Sequence, residues 1–400
     1  MPVLILSPFF FPEAISTGRY NTALARTLAE RGKEVTVFSS HPLYPSWRPK
    51  RSQAVLPEIK IQRGGGWLRY PRTPFLRRAV LEIWYAAFAL AAYLRIGRHK
   101  PRCVIPIFPP CLFLALLHPL LPSGTSVVGI VHDLQGVLGV RSDSVIGKLA
   151  RAGIRWIERR SFAKCDRLIF LSHSMLARAI QDYALRREIC SVHYPFQTLP
   201  SQPTKSTSTL RETLPADYVN VVYSGALGDK QSPDELLRFM ADLERRNANV
   251  RCHVFSAGPH FERLRRDSQT RCGVKFHALV AEDDLAELYA RSSVQIIPQA
   301  GGTSDGALPS KLPNLIAAGV PIFAICDEGS EVAEILKAAG TGLTAPNFLS
   351  SVTLERFDTL LAVATSESTA SRAKRLKPFV EKHFSIEPLV DEILNSPRRS

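Results

Sequence analysis

Residues 219–256, VNVVYSGALGDKQSPDELLRFMADLERRNANVRCHVFS, decide the fold. An apolar run, Val219–Ser224, ends in two glycines three apart, Gly225 and Gly228. A helical stretch, Pro233–Asn247, follows, and a second apolar run, Val250–Ser256, closes the unit. Strand, helix and strand in that order require a crossover, which makes the strands parallel and covers both faces of the sheet. The alternation continues downstream, with strands expected at Val274–His277, Val294–Ile297 and Pro321–Ile325. Helices are expected at Asp283–Ala290, Ser310–Ala318 and Ser330–Ala339.

Upstream, Thr198–Thr213 (TLPSQPTKSTSTLRET) is polar, has no apolar period and reads as a linker. Before it the same alternation runs from the start. Val3–Ser7 is a strand, Gly18–Arg31 a helix ended by Gly32, and Glu34–Ser39 a second strand. Further strands are expected at Lys60–Arg63, Cys103–Ile107, Ser126–Val131 and Arg167–Leu171. The fold class is therefore α/β with two doubly wound domains. Residues 1–197 form the first, 198–216 the linker and 217–375 the second; 376–400 add a helix for which a return to the first domain is one option. A chain of 400 residues, 45% apolar and 22% charged, has material for two cores.

The net charge of +15 is unevenly spread. Residues 1–200 carry +17 and residues 201–400 carry −2, and residues 48–102 hold 13 basic side chains against Glu58 and Glu82. Such asymmetry implies an anionic partner: nucleic acid, a phosphorylated substrate or an acidic membrane surface. No stacking aromatics are interleaved in a recognisable nucleic-acid module, which argues against the first. Ala79–Ile96 is apolar but interrupted by Glu82, and Val104–Leu121 is broken by prolines, so neither reads as a membrane span. The basic clusters flanking the former, Arg69, Arg72, Arg77 and Arg78 before and Arg95, Arg98 and Lys100 after, suit a helix lying on an anionic bilayer; a core helix fits equally. Seven scattered cysteines without a C-x-x-C pair suit a reducing compartment, and no secretory signal is expected.

Doubly wound sheets bind ligands beyond the carboxyl ends of their strands. The first strand leads into Pro8–Arg19, PFFFPEAISTGR, which is not a G-x-G-x-x-G turn, and no acid closes the second strand, which argues against a dehydrogenase. Gly18-Arg19 at a helix start and Gly225, Gly228 and Lys230 after a strand are candidates for meeting phosphate. In GGTSDGALPSKLPNLIAAGVP (301–321), Ser310 reads as an N-cap and Lys311 as a first-turn residue. A cation there opposes the helix dipole, which an anionic ligand would explain. His132-Asp133 closes a strand, where a hydrogen-bonded pair and a ligand contact both fit. Glu331 follows Ser330 in ordinary capping chemistry.

The segments PFFFPEAISTGRYNTALARTLAERGKEVTVFSS, IVHDLQGV, VVYSGALGDKQSPDELL and LPSKLPNLIAAGVPIFAICDEGSEVAEIL together resemble bacterial nucleotide-sugar glycosyltransferases. More narrowly, the chain is similar over residues 1–350 to the retaining family-four enzymes that build exopolysaccharide, colanic acid and O-antigen. That resemblance implies the GT-B fold, two Rossmann-like domains facing a cleft, with the second holding a nucleotide diphospho-sugar. It implies Gly18 and Arg19 at the donor from the first domain, Gly225 and Lys230 at the diphosphate, and Ser310 and Lys311 lining the donor pocket. It implies His132 at the transferred sugar and Asp133 at the acceptor. Asn314 stands where many members carry a ribose-binding glutamate, and Ser224 where many carry a phosphate-binding arginine; Glu331 is the candidate substitute for ribose. The paired glutamate nearest Asp305 and Gly306 is absent.

The expected activity is retaining transfer of a sugar to a lipid-linked or polysaccharide acceptor in cell-surface polysaccharide synthesis. No cofactor and no metal are expected, since no D-x-D motif is present. Expected partners are the nucleotide-sugar donor, a lipid-linked glycan acceptor and an anionic membrane surface. The expected place is cytoplasmic, peripheral at the inner face of the cell membrane. Alternatives are a sugar-nucleotide epimerase of related fold and a catalytically silent partner protein.

Overall fold

A computed structural model describes all residues except 14, 45, 97–99, 135–144, 204–207, 269–272, 303–307 and 397–400. The chain forms two compact units, Met1–Tyr194 with Ile386–Ser400, and Pro195–Ser385.

The first unit is a seven-stranded sheet of β1 (Pro2–Leu6), β2 (Glu34–Ser40), β3 (Ile59–Gly64), β4 (Cys103–Phe108), β5 (Ser126–Val131), β6 (Arg167–Phe170) and β7 (Cys190–Val192). The order is β3-β2-β1-β4-β5-β6-β7, and every pair is parallel. The central strands are buried on both faces, as in β4 and β5, because helices cover each side. These are α1 (Ser16–Glu30), α2 (Pro74–Arg95), α3 (Leu112–Leu117), α4 (Val145–Phe162) and α5 (His173–Tyr183).

Glu82, the acid inside the apolar helix α2, has a structural task. Its buried carboxylate accepts the backbone N–H groups of Cys111 (2.9 Å) and Leu112 (2.8 Å) at the start of α3, and pairs with Arg78. Orphan donors at a helix start and a buried charge thus satisfy each other. Among the described residues, no helix is long and apolar enough to cross a membrane.

The second unit has a six-stranded parallel sheet of β8 (Val219–Ser224), β9 (Val250–Phe255), β10 (Lys275–His277), β11 (Val294–Pro298), β12 (Ile322–Ile325) and β13 (Gly342–Ala345), ordered β10-β9-β8-β11-β12-β13. Its helices are α6 (Ser208–Thr213), α7 (Pro233–Arg246), α8 (Pro259–Ser268), α9 (Leu285–Arg291), α10 (Leu312–Ala317), α11 (Glu331–Ala339), α12 (Ser351–Ser366) and α13 (Thr369–His383). Phe239 of α7, Phe323 of β12 and Phe357 of α12 meet in the core, with centroids 5.2–5.7 Å apart.

Two places in the chain bear on the expected boundaries. The second unit begins at Pro195, and of the expected linker 198–216 the described part includes α6, with Leu210 and Leu214 buried. The N–H groups of Thr198 and Leu199 are bonded to Asn314, which removes the cost of pinning that polar segment. The C-terminal segment divides, with α13 in the second unit and α14 (Glu387–Asn395) in the first. There Glu387 and Asp391 meet Arg31, and Glu392 takes bonds from Arg167, Ser191 and His193. Burial pushes the Glu392 carboxyl up, but these bonds outweigh it and bring it down to about 2.

Candidate functional site

At the carboxyl end of β8 the chain turns through Gly225, whose φ of 137° is open to glycine and strained for other residues. The next residues form one 3-10 turn, Asp229–Gln231, closed by the Gln231 side chain, which accepts the Gly228 N–H at 3.0 Å. Lys230 lies on this turn. Its ammonium is exposed and, among the described residues, has no hydrogen-bond or ion-pair partner. Its carbonyl accepts the N–H of Ala300 at 2.7 Å, which ties the turn to the glycine loop after β11. That loop is held in turn by Asp327, whose carboxylate accepts the Gly302 N–H at 3.0 Å.

Lys311 behaves differently. It occupies the N-cap position of α10, and its Nζ donates to the carbonyls of Ser224 (3.1 Å) and Ile296 (2.9 Å). The ammonium also sits 4.6 Å from the Tyr223 ring centroid. It therefore joins β8 to β11 near their carboxyl ends. Burial lowers its pKa to about 7. The expected placement of Lys311 in the first turn gives way to this one: the charge avoids the positive helix end by reaching toward strand carbonyls. Ser310 is correspondingly not an N-cap; it precedes the helix, half-buried.

Asn314 is also corrected. It is 7% exposed, and its Oδ1 accepts from the backbone N–H of Thr198 (2.9 Å) and Leu199 (3.0 Å). Its Nδ2 donates to Thr198 Oγ1 at 3.1 Å, so the side chain faces the protein rather than a ribose. Ser224, in the place of the family arginine, is buried and donates to Gln295 at 3.2 Å. Glu331 is half-buried in the first turn of α11, which Ser330 caps through the Ala333 N–H.

In the first unit, the turn after β1 is braced from inside. Asn21 donates to Ser7 Oγ (2.9 Å) and to the Phe9 carbonyl (3.0 Å). Gly18 is buried, and a Cβ there would lie 2.8 Å from the Glu13 carbonyl. Glu13 packs against Gly18, which gives the missing side chain a packing reason within the chain. Arg19 is half-buried beside it in the first turn of α1. His132 follows β5; its N–H donates to the Phe108 carbonyl at 2.9 Å, and its ring lies 6.2 Å from that of Tyr20. Burial lowers its pKa to about 4, so the imidazole is neutral at pH 7. Asp133 follows, half-buried. Asp305, Gly306 and the end of the IVHDLQGV segment lie outside the described residues.

Glu13 was missed from the sequence. It is 4% exposed and accepts the N–H groups of Leu43 (2.7 Å) and Tyr44 (3.2 Å), fixing the loop after β2. An acid inside an otherwise apolar strand-end turn is the signal that could have found it. Among the described residues, no group of three or more His, Cys, Asp or Glu is placed to hold a metal ion.

Residues 17–196 match Glycosyltransferase Family 4, and residues 219–361 match Glycosyl transferases group 1. The chain is a glycosyltransferase with the GT-B fold. The family-four likeness is carried by residues 17–196. A curated relative, the putative colanic acid biosynthesis glycosyl transferase WcaI of Escherichia coli K12, is 25% identical over 342 residues, 80% of this chain and 82% of that one. WaaG, a glycosyltransferase involved in lipopolysaccharide biosynthesis, shares the fold with a TM-score of 0.71 at 16% identity, covering 99% of this chain and 100% of that one. Anabaena Alr3699/HepE, solved in complex with UDP, does so with a TM-score of 0.62 at 14% identity, covering 98% of each.

Proposed function

We propose that the chain transfers a sugar, with retention of anomeric configuration, from a nucleotide diphospho-sugar to a lipid-linked acceptor during cell-surface polysaccharide synthesis. The likeness to WcaI supports the pathway class. The observation that carries the donor reading is Lys230: an unpartnered ammonium on a glycine turn, braced to a second glycine loop by the Ala300 N–H. A leaving nucleoside diphosphate needs preorganised positive charge as the glycosidic bond breaks. Lys230 supplies it as a point charge, and Gly225 lets the backbone approach. Lys311 holds the ends of β8 and β11 in register beneath the turn and adds charge when protonated. Ser310 lines the donor pocket, and Glu331 takes the ribose. His132, being neutral, hydrogen-bonds the transferred sugar, and Asp133 orients the acceptor. This chemistry calls for no metal.

The membrane is the proposed second partner, at the cytoplasmic face. Residues 48–102 combine the basic excess with exposed Trp67, Phe75, Leu76, Ile83 and Leu94. Transfer from a panel of labelled nucleotide-sugars to a polyprenyl-diphosphate-linked sugar tests the activity. Product formed by the wild type and lost in Lys230→Ala is expected; equal transfer by both removes Lys230 from the donor site. Flotation with phosphatidylglycerol vesicles tests the membrane, and no preference over neutral vesicles contradicts it.

A further inference from the structure

Around the ends of β1, β2 and β3, several features of ordinary protein chemistry are left at a cost in one place. Trp47 adopts φ 54°, the left-handed region that a tryptophan rarely occupies. Its indole lies under the Arg77 guanidinium, 4.2 Å from carbon to centroid, and edge-on to Tyr70 (5.6 Å) and Phe9 (6.2 Å). The Tyr70 hydroxyl is buried without a hydrogen-bond partner, and burial pushes its pKa up. Arg77 is half-buried, and no described carboxylate pairs with it; burial lowers its pKa. Nearby, Arg63 spends Nη2 on the Phe11 carbonyl (2.7 Å), and His41 is held neutral by burial and then by Arg63 and Arg51. The buried acid Glu13 is engaged by the N–H groups of Leu43 and Tyr44, and Glu82 on the Arg77 helix is taken by Arg78 and the start of α3.

We propose that Arg77 and Tyr70 form a phosphate-binding site covered by Trp47, which swings aside when a lipid-borne diphosphate enters. Each local cost is relieved by that one event. The left-handed backbone relaxes, the phenol gains an acceptor, and the guanidinium exchanges an aromatic face for a charge-assisted pair. The neighbouring surface fits a ligand with an anionic head and an apolar tail: Phe75 and Leu76 directly precede Arg77 and are exposed, as are Trp67, Arg69 and Arg72. The ligand class is a long-chain prenyl diphosphate, and its assignment as the acceptor rests on the glycosyl-transfer reading above.

Trp47 supplies the readout. Titration of the full chain with geranylgeranyl diphosphate is expected to change tryptophan fluorescence, and Trp47→Phe to abolish that change. Arg77→Gln is expected to weaken binding at least tenfold, about 1.4 kcal/mol. Tyr70→Phe is expected to weaken it about threefold without lowering Tm, since its hydroxyl serves no partner in the free protein. Arg77→Lys, which keeps the charge, guards against misfolding and is expected to fall between wild type and Arg77→Gln. Geranylgeraniol is expected not to compete. Competition by inorganic diphosphate as strong as by the lipid would keep the phosphate site but overturn the lipid as its source. Unchanged affinity of Arg77→Gln for the prenyl diphosphate overturns the site, as does an effect confined to phosphatidylglycerol vesicles. Loss of binding with normal sugar transfer would leave the site standing and separate it from the acceptor.

Discussion

Two lysines of the second unit look interchangeable in the sequence and have opposite situations in the structure. Lys230 stands on a glycine turn with its ammonium exposed and, among the described residues, unpartnered, whereas Lys311 turns inward onto the carbonyls of Ser224 and Ile296 and the face of Tyr223. Both follow parallel strands of the same sheet, Lys230 after β8 and Lys311 after β11. One lysine is spent on those carbonyls, and the other is the one proposed to meet a ligand. A cation in a motif therefore becomes a ligand contact only when the protein leaves it without internal partners.

The contrast is most sharply tested by function against stability. Lys230→Ala is expected to lower kcat/KM for the donor by about 10²–10³ while leaving the chemical denaturation midpoint unchanged. A comparable loss of stability would make Lys230 structural as well. Asn314→Ala is expected to show the reverse pattern, costing about 2 kcal/mol because the N–H groups of Thr198 and Leu199 lose their acceptor. Nucleotide affinity should stay as in the wild type; weakened affinity at full stability would restore the ribose role to Asn314. The smallest effect is expected from pH. The Lys311 ammonium falls from about 10.5 in the unfolded chain to about 7 by burial, so the unfolded state binds more protons between those values. Stability should therefore rise with pH from about 7 toward 10.5, with Lys311 contributing on the order of 1 kcal/mol between pH 7 and 8. Lys311→Met should flatten that rise, and parallel pH profiles of the two proteins would contradict the buried placement.

Much of the fold was legible because parallel strands buried on both faces are continuous apolar runs. Val219–Ser224 and Ser126–Val131 form strands over those residues. What the sequence hid depends on where side chains turn. Residues 198–216 read as a linker from their polarity, yet an asparagine more than a hundred positions away accepts the N–H groups of Thr198 and Leu199, and Leu210 and Leu214 are buried. Ser310 and Lys311 carry a helix-start pattern, but the helix begins at Leu312 because the lysine is drawn to the strand carbonyls. Glycine invites a ligand reading, and at Gly18 the close neighbour is Glu13 of the same chain. Glu82 looked out of place in an apolar helix until the start of α3 supplied its partners.

Lys230 as the seat of the donor diphosphate is tested most directly by calorimetric titration of UDP, GDP, ADP and TDP into the wild type and Lys230→Ala. One nucleotide is expected to bind the wild type and to lose at least tenfold in affinity on the substitution. Equal affinities for both proteins, or heat from none of the four, would contradict it.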